Sequence, residues 1–162
     1  GFLARFRKAE AAPKGLYIHG EVGRGKTMLM DLFFAAAEVN PKRRVHFHAF
    51  MQDVHARLHA ARKQQQDAIA PVAKAIAASA RLLCLDEMQI TDIADAMIVG
   101  RLFEGLLQAG TVIVTTSNRA PDRLCTDGLN RQLFVPFIRL IDGKHDVVAL
   151  DSASGARVAV HD

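Results

Sequence analysis

The chain has 162 residues, 50% of them apolar, with a formal net charge of +4 and a pI of about 9.4. That length suits one domain able to bury roughly 70% of its unfolded surface. Two cysteines, Cys84 in an apolar run and Cys125 in a polar one, exclude a disulfide framework and fit a reducing compartment, and no apolar run approaches the ~20 residues of a membrane span.

Positive charge gathers at Arg5, Arg7 and Lys8 and again at Lys42, Arg43 and Arg44. Such clusters serve surface solubility first and contact with an anion second, and they do not tell ATP from nucleic acid or a membrane surface. The opening GFLARFRK is basic and free of acids, a transit-peptide flavour over a very short span. With no initiator Met, residues 1–14 are read as an N-terminal remnant.

The run from Leu16 to His19 predicts a buried strand. From Lys26 to Val39 apolar residues recur at helical spacing (Met28, Leu29, Leu32, Phe33, Ala36), and Asn40-Pro41 stops the helix. Val45 to Phe50 reads as a second strand, Gln52 to Gln66 as a helix, and an alanine-rich helix follows Pro71 as far as Ala80. LLCLDE is a buried strand with carboxylates at its carboxyl end. Asp92 caps a helix through Gln108, Asp95 reinforces its start and Gly110 ends it. Thr111 to Thr116 is a β-branched strand. Ala120 to Leu140 reads as mostly helical, broken near Gly128 and Pro136, and Asp146 to Leu150 as a last core strand. Strand and helix thus alternate through five strands, which implies a parallel sheet with helices on both faces. Low complexity is confined to Gln64 to Gln66. The expected organisation is a remnant at 1–14, a phosphate-loop core at 15–151 and a C-terminal remnant at 152–162 that carries one alternating, strand-like piece.

GEVGRGKT, Gly20 to Thr27, matches G-x-x-x-x-G-K-[ST] between a predicted strand and a predicted helix. Small residues let the backbone bend so that successive N–H groups point at phosphate oxygens, and the helix N-terminus adds a favourable dipole. The expected nucleotide-binding residues are Gly20, Glu21, Val22, Gly23, Arg24, Gly25, Lys26, Thr27 and Met28, with Lys26 bridging the β- and γ-phosphates and Thr27 ligating Mg²⁺. Hydrolysis needs a second, acidic strand. Asp86 is placed to hold Mg²⁺ through water and Glu87 to orient or deprotonate the attacking water. Two adjacent acids at the end of an apolar strand would be costly without a cation. The next strand ends in TTSN, where Asn118 is expected to position that water; the plain alternative is an Asx-turn that ends the strand.

Together with RVHFHAFM, DEMQITDIADAMI, TTSNRAPDRL and GLNRQLFVPFI, this loop resembles the ZapE family of AAA+-type ATPases, which includes bacterial division-associated ATPases and mitochondrial AFG/LACE-type proteins. The resemblance runs from about Gly15 to Asp151. It implies a P-loop NTPase three-layer sandwich of the AAA+ type, a five-stranded parallel sheet in the order 5-1-4-3-2, and ATP hydrolysis in a ring or transient oligomer, up to a hexamer. An arginine from one subunit then reaches the nucleotide of the next: Arg131 is the candidate, with Arg119 the alternative, either of which would stabilise charge developing on the transferred phosphoryl group. It also implies remodelling of a protein partner, linked in bacteria to cell division. DEMQ departs from the family's DEFQ by an apolar swap, and the helical lid expected beyond the core is absent from this sequence.

Other readings carry less. His46 and His48 would share one strand face, with His55 and His59 one helical turn apart, a spacing that suits zinc, but HARLH lacks the glutamate of H-E-x-x-H. Arg57, Arg62 and Lys63 lack the aromatic platform of a nucleic-acid groove. A DNA-linked helicase loader or transposition helper and a non-hydrolysing nucleotide-binding module are the rival functions; DEMQITDIADAMI opposes the first, and Glu87 with Asn118 the second. The expected compartment is the bacterial cytoplasm, then the mitochondrial matrix.

Overall fold

A computed structural model of the chain describes residues 15–20, 23–63, 67–120, 145–151 and 157–161. In chain order the elements are β1 (Gly15–His19), α1 (Gly23–Ala36), β2 (Lys42–His46), α2 (Phe47–Arg62), α3 (Ile69–Ser79), β3 (Leu82–Asp86), α4 (Ile93–Gln108), β4 (Val112–Ser117), β5 (His145–Asp151) and β6 (Arg157–His161). The strands form one sheet in the order β2-β3-β4-β1-β5-β6. The first five are parallel and stand in the expected order. To these five, the described residues add one strand that the expected sheet did not include: β6 pairs antiparallel with β5, from Val147 opposite His161 to Asp151 opposite Arg157. The interval 152–156 allows only this sense, since a parallel return needs a crossover of about a dozen residues or more.

Both faces of the central strands are covered, so they read as continuous apolar runs rather than alternations. Leu83, Leu85 and Ile113 face one layer, where they pack with Phe50, Val54 and Leu58 of α2, Val72 and Ile76 of α3, and Val99, Leu102, Phe103 and Leu106 of α4. Leu82, Cys84, Val112 and Val114 point the other way, to Met30 of α1 and Ala37 just past its end. The two-residue period of a strand forces this division, and a one-residue slip would exchange every contact.

Local chemistry sets the helix ends. Asp92 accepts from the N–H of Asp95 at 2.7 Å, as expected for the cap of α4, and Gly110, at φ 95, follows its end. Pro71 lies in the first turn of α3, where its missing N–H has no intrahelical partner to lose. At residue 105 α4 needs glycine, because a Cβ there would stand 2.8 Å from Ala73 Cβ of α3.

The expected strand from Val45 to Phe50 is corrected: β2 ends at His46 and α2 begins at once with Phe47. VHFHAF alternates over a short stretch, but Phe47, Phe50, Met51, Val54 and Leu58 recur at helical spacing and are all buried. Burying that longer stripe wins. His46 and His48 therefore do not share a strand face. His46 caps the helix that contains His48. The expected helical region from Ala120 to Leu140 lies almost wholly outside the described residues, as do Gln64 to Gln66.

Candidate functional site

At the carboxyl end of β1, Gly20 has φ 149, a conformation L side chains rarely adopt, and its N–H reaches Ser117 O at 3.3 Å, fastening the start of the loop to β4. Helix α1 starts at Gly23, earlier than the expected Lys26, so the second half of the phosphate loop is itself the first helical turn. No acid stands in that turn, which leaves the positive end of the helix dipole for an anionic ligand.

Lys26 is 4% exposed. Its ammonium donates to Gly20 O and to Asn118 Oδ1. Burial lowers its pKa below the usual lysine value, and the charge of Glu87 opposes that shift. Both of these acceptors are neutral, so a buried cation waits beside a loop of backbone N–H groups. Thr27, next along, is exposed.

Asp86 ends β3 and Glu87 follows it at φ 57, a left-handed conformation for a residue with a side chain. Strain of this kind costs of order 1–3 kcal/mol and persists only where neighbours hold it. Thr116 of β4 does the holding: its Oγ1 accepts from Glu87 N at 2.8 Å and its carbonyl from Met88 N at 2.6 Å. Met88 is buried, in keeping with an apolar side chain at that position of DEMQ. Ser117 Oγ donates to Met88 O at 3.0 Å and accepts from Arg119 N at 3.2 Å, while Arg119 O accepts from Tyr17 at 2.8 Å. Residues 87–90 and 117–119 line a cleft between the tips of β3 and β4.

The fold thus brings Lys26, Asp86, Glu87 and Asn118 to the carboxyl ends of adjacent strands, where parallel sheets bind ligands. Met28 is 62% exposed on α1. Gly23, Arg24 and Gly25 lie in the first turn of α1. Glu21, Val22 and Arg131 lie outside the described residues.

Two residues that the sequence did not single out for this site come from β2. Arg44 Nε donates to Asp86 Oδ2 at 2.9 Å, and a second guanidinium nitrogen donates to Asp31 of α1. His46 Nε2 lies 2.9 Å from Glu87 Oε2, and its Nδ1 accepts from His48 N at 3.3 Å. An Nδ1 that accepts carries no proton, so the ring proton stands on Nε2 and is donated to Glu87. The only advance sign of either role was that β2 and β3 would be neighbours. Cys84, opposite Arg44 in register, has its thiol pushed up to about 12, chiefly by burial, and is chemically quiet.

A sequence profile of the AFG1-like ATPase family matches residues 2–160. The chain is 49% identical over 150 residues to lactation elevated protein 1 homolog B of Danio rerio, covering 86% of this chain and 30% of the relative. It is 42% identical over 145 residues to the cell division protein ZapE of Escherichia coli, covering 90% of this chain and 38% of the relative. The chain thus spans about a third of the length of these curated relatives. Among solved structures it is similar to DnaI, with a TM-score of 0.64 at 21% identity over 91% of this chain and 80% of that one. It is also similar to the replication initiator DnaA bound to AMPPCP and single-stranded DNA, with a TM-score of 0.63 at 21% identity over 96% of this chain and 46% of that one. These two likenesses support the fold and no more.

Proposed function

The chain belongs to the AFG1-like ATPase family, and from that premise we propose that residues 15–151 bind ATP with Mg²⁺ at the carboxyl edge of the sheet and hydrolyse it. The observation that carries this reading is the buried Lys26 ammonium beside Asn118, at an edge where Asp86 and Glu87 close the neighbouring strand. An ammonium held by neutral acceptors gains a charge-assisted partner when a phosphate arrives.

Thr27 and Asp86 offer the hard oxygen donors that suit Mg²⁺. When bound, the ion would neutralise negative charge on the phosphate oxygens. Lys26 binds the β- and γ-phosphates, and the first-turn N–H groups of α1, from Gly23 to Thr27, cradle them. Glu87 takes the proton of the attacking water or orients it, and Asn118 holds that water in line. His46 keeps the Glu87 carboxylate at a fixed place. An arginine of a second subunit, Arg131 or in its stead Arg119, completes the site by stabilising charge on the transferred phosphoryl group.

On this reading turnover drives remodelling of a protein partner by an oligomer in the bacterial cytoplasm, and the likeness to the cell division protein ZapE of Escherichia coli supports the link to cell division. The test is phosphate release per subunit as protein concentration rises. A site completed between subunits gives specific activity that climbs with concentration and is indifferent to single-stranded DNA. Tight ATP binding with no turnover at any concentration contradicts hydrolysis by this chain, and activity that depends on single-stranded DNA moves the reading to a DNA-linked ATPase.

A further inference from the structure

Arg44 is tied to the acidic strand in a way that hydrolysis alone does not require. β2 and β3 run in register with Arg44 opposite Cys84, so Arg44, Cys84 and Asp86 share one face of the sheet. Cys84 packs in the cluster that contains Met30 of α1, which identifies that face as the one α1 covers. Asp31 lies on α1 one turn beyond Thr27. Arg44 therefore stands between two carboxylates, one at the strand end and one on the helix that follows the phosphate loop.

The two partners differ in their exposure to water. The Arg44 and Asp86 side chains are 23% and 21% exposed, whereas Asp31 is 58% exposed. An ion pair on the wet side is worth little, while one shielded from water is felt by any other charge brought to it. Asp86 has one further neighbour among the described contacts, Thr116 Oγ1 at 3.5 Å, a distance too long for a strong hydrogen bond.

We propose that Arg44 is the resident counter-charge of Asp86, a positioning residue that satisfies this carboxylate when no metal is bound and competes with Mg²⁺ for it, with Asp31 as the anion that keeps the guanidinium when the metal takes Asp86. The proposal rests on the reading of Asp86 as the carboxylate on the metal side. It makes metal affinity a property tuned from β2, outside the phosphate loop and the acidic strand.

The test measures binding of a fluorescent ADP by anisotropy in EDTA and across a Mg²⁺ titration, for the wild type and for Arg44→Ala, Arg44→Gln and Arg44→Lys. Arg44→Gln keeps a donor for Asp86 and removes the charge, whereas Arg44→Lys keeps the charge on a shorter stem. The Mg²⁺ concentration for half of the metal's effect should fall about 3- to 10-fold in Arg44→Ala and Arg44→Gln, and stay within about 2-fold of wild type in Arg44→Lys. Affinity in EDTA should stay within about 2-fold of wild type in all three. An unchanged or raised Mg²⁺ requirement in Arg44→Gln overturns the proposal, and that comparison stands even if Arg44→Ala does not fold.

If the wild type binds no nucleotide with or without metal, the nucleotide reading fails. The counter-charge claim is then decided by melting in EDTA: Arg44→Gln should lower the midpoint and Asp86→Asn in the same chain should restore part of it. A double variant no more stable than Arg44→Gln contradicts the claim.

Discussion

The body of the sheet and its carboxyl edge obey opposite rules. Within the body, Leu82 to Leu85 and Val112 to Val114 are buried on both faces and packed between helices, so each side chain contributes by leaving water. At the edge, a few residues on, the chain turns through Gly20 and Glu87 with positive φ. It buries the cation of Lys26 there and aligns two carboxylates. The body gains stability from burial; the edge holds strained and desolvated groups that the body keeps in place. Substitutions should divide accordingly, with stability lost in the body and function lost at the edge.

The largest effect expected lies in the body. Phe103 is fully buried beneath the sheet, and Phe103→Ala should cost about 3–5 kcal/mol in urea unfolding, with nucleotide affinity of the folded fraction kept. A loss of affinity in molecules that remain folded would blur the division.

At the edge, Lys26→Met should weaken ATP binding by roughly 100-fold, the scale of a charge-assisted contact, while leaving the nucleotide-free protein as stable as before or more so. The sign follows from the lowered pKa of Lys26. Between that value and the unfolded value of 10.5, the unfolded chain binds more protons, so the wild type gains stability as pH rises through the alkaline range. Melting across a pH series should show this rise in the wild type and a smaller one in Lys26→Met.

His46→Ala should slow turnover by roughly 10-fold with ATP affinity kept, since it frees the Glu87 carboxylate from its donor. His46→Gln, which keeps a donor, should recover part of the rate. Steady-state kinetics with a separate binding measurement divides the two effects.

The smallest effect tests the border between the regions. Thr115, buried within β4, has a hydroxyl with no hydrogen-bond partner among the described residues, so Thr115→Val should raise stability by about 1 kcal/mol in urea melts.

The same contrast explains what was legible in the sequence. The strand bodies announced themselves as apolar runs, and the cap at Asp92 as a local motif, because both depend on neighbours in sequence. Gly20, Lys26, Asp86, Glu87 and Asn118 could be singled out because a phosphate-loop pattern and an acidic strand end restrict residue types and spacing, and the fold brings these residues to one edge. Phe47 misled because alternation over a few residues imitates a strand, and only the longer stripe through Leu58 resolves it. Arg44 and His46 were silent, since they meet Asp86 and Glu87 across 42 and 41 residues of sequence, and only the register of β2 on β3 creates those contacts. β6 escaped the count of strands because its pairing with β5 reverses the sense that the alternating pattern implies.

The central claim is that the carboxyl edge acts chemically through Glu87. The most direct measurement is single-turnover ATP hydrolysis beside equilibrium ATP binding, for the wild type and Glu87→Gln. Glu87→Gln should bind ATP within a few-fold of wild type and hydrolyse it at least about 100-fold more slowly. Equal hydrolysis by the two proteins would contradict that claim.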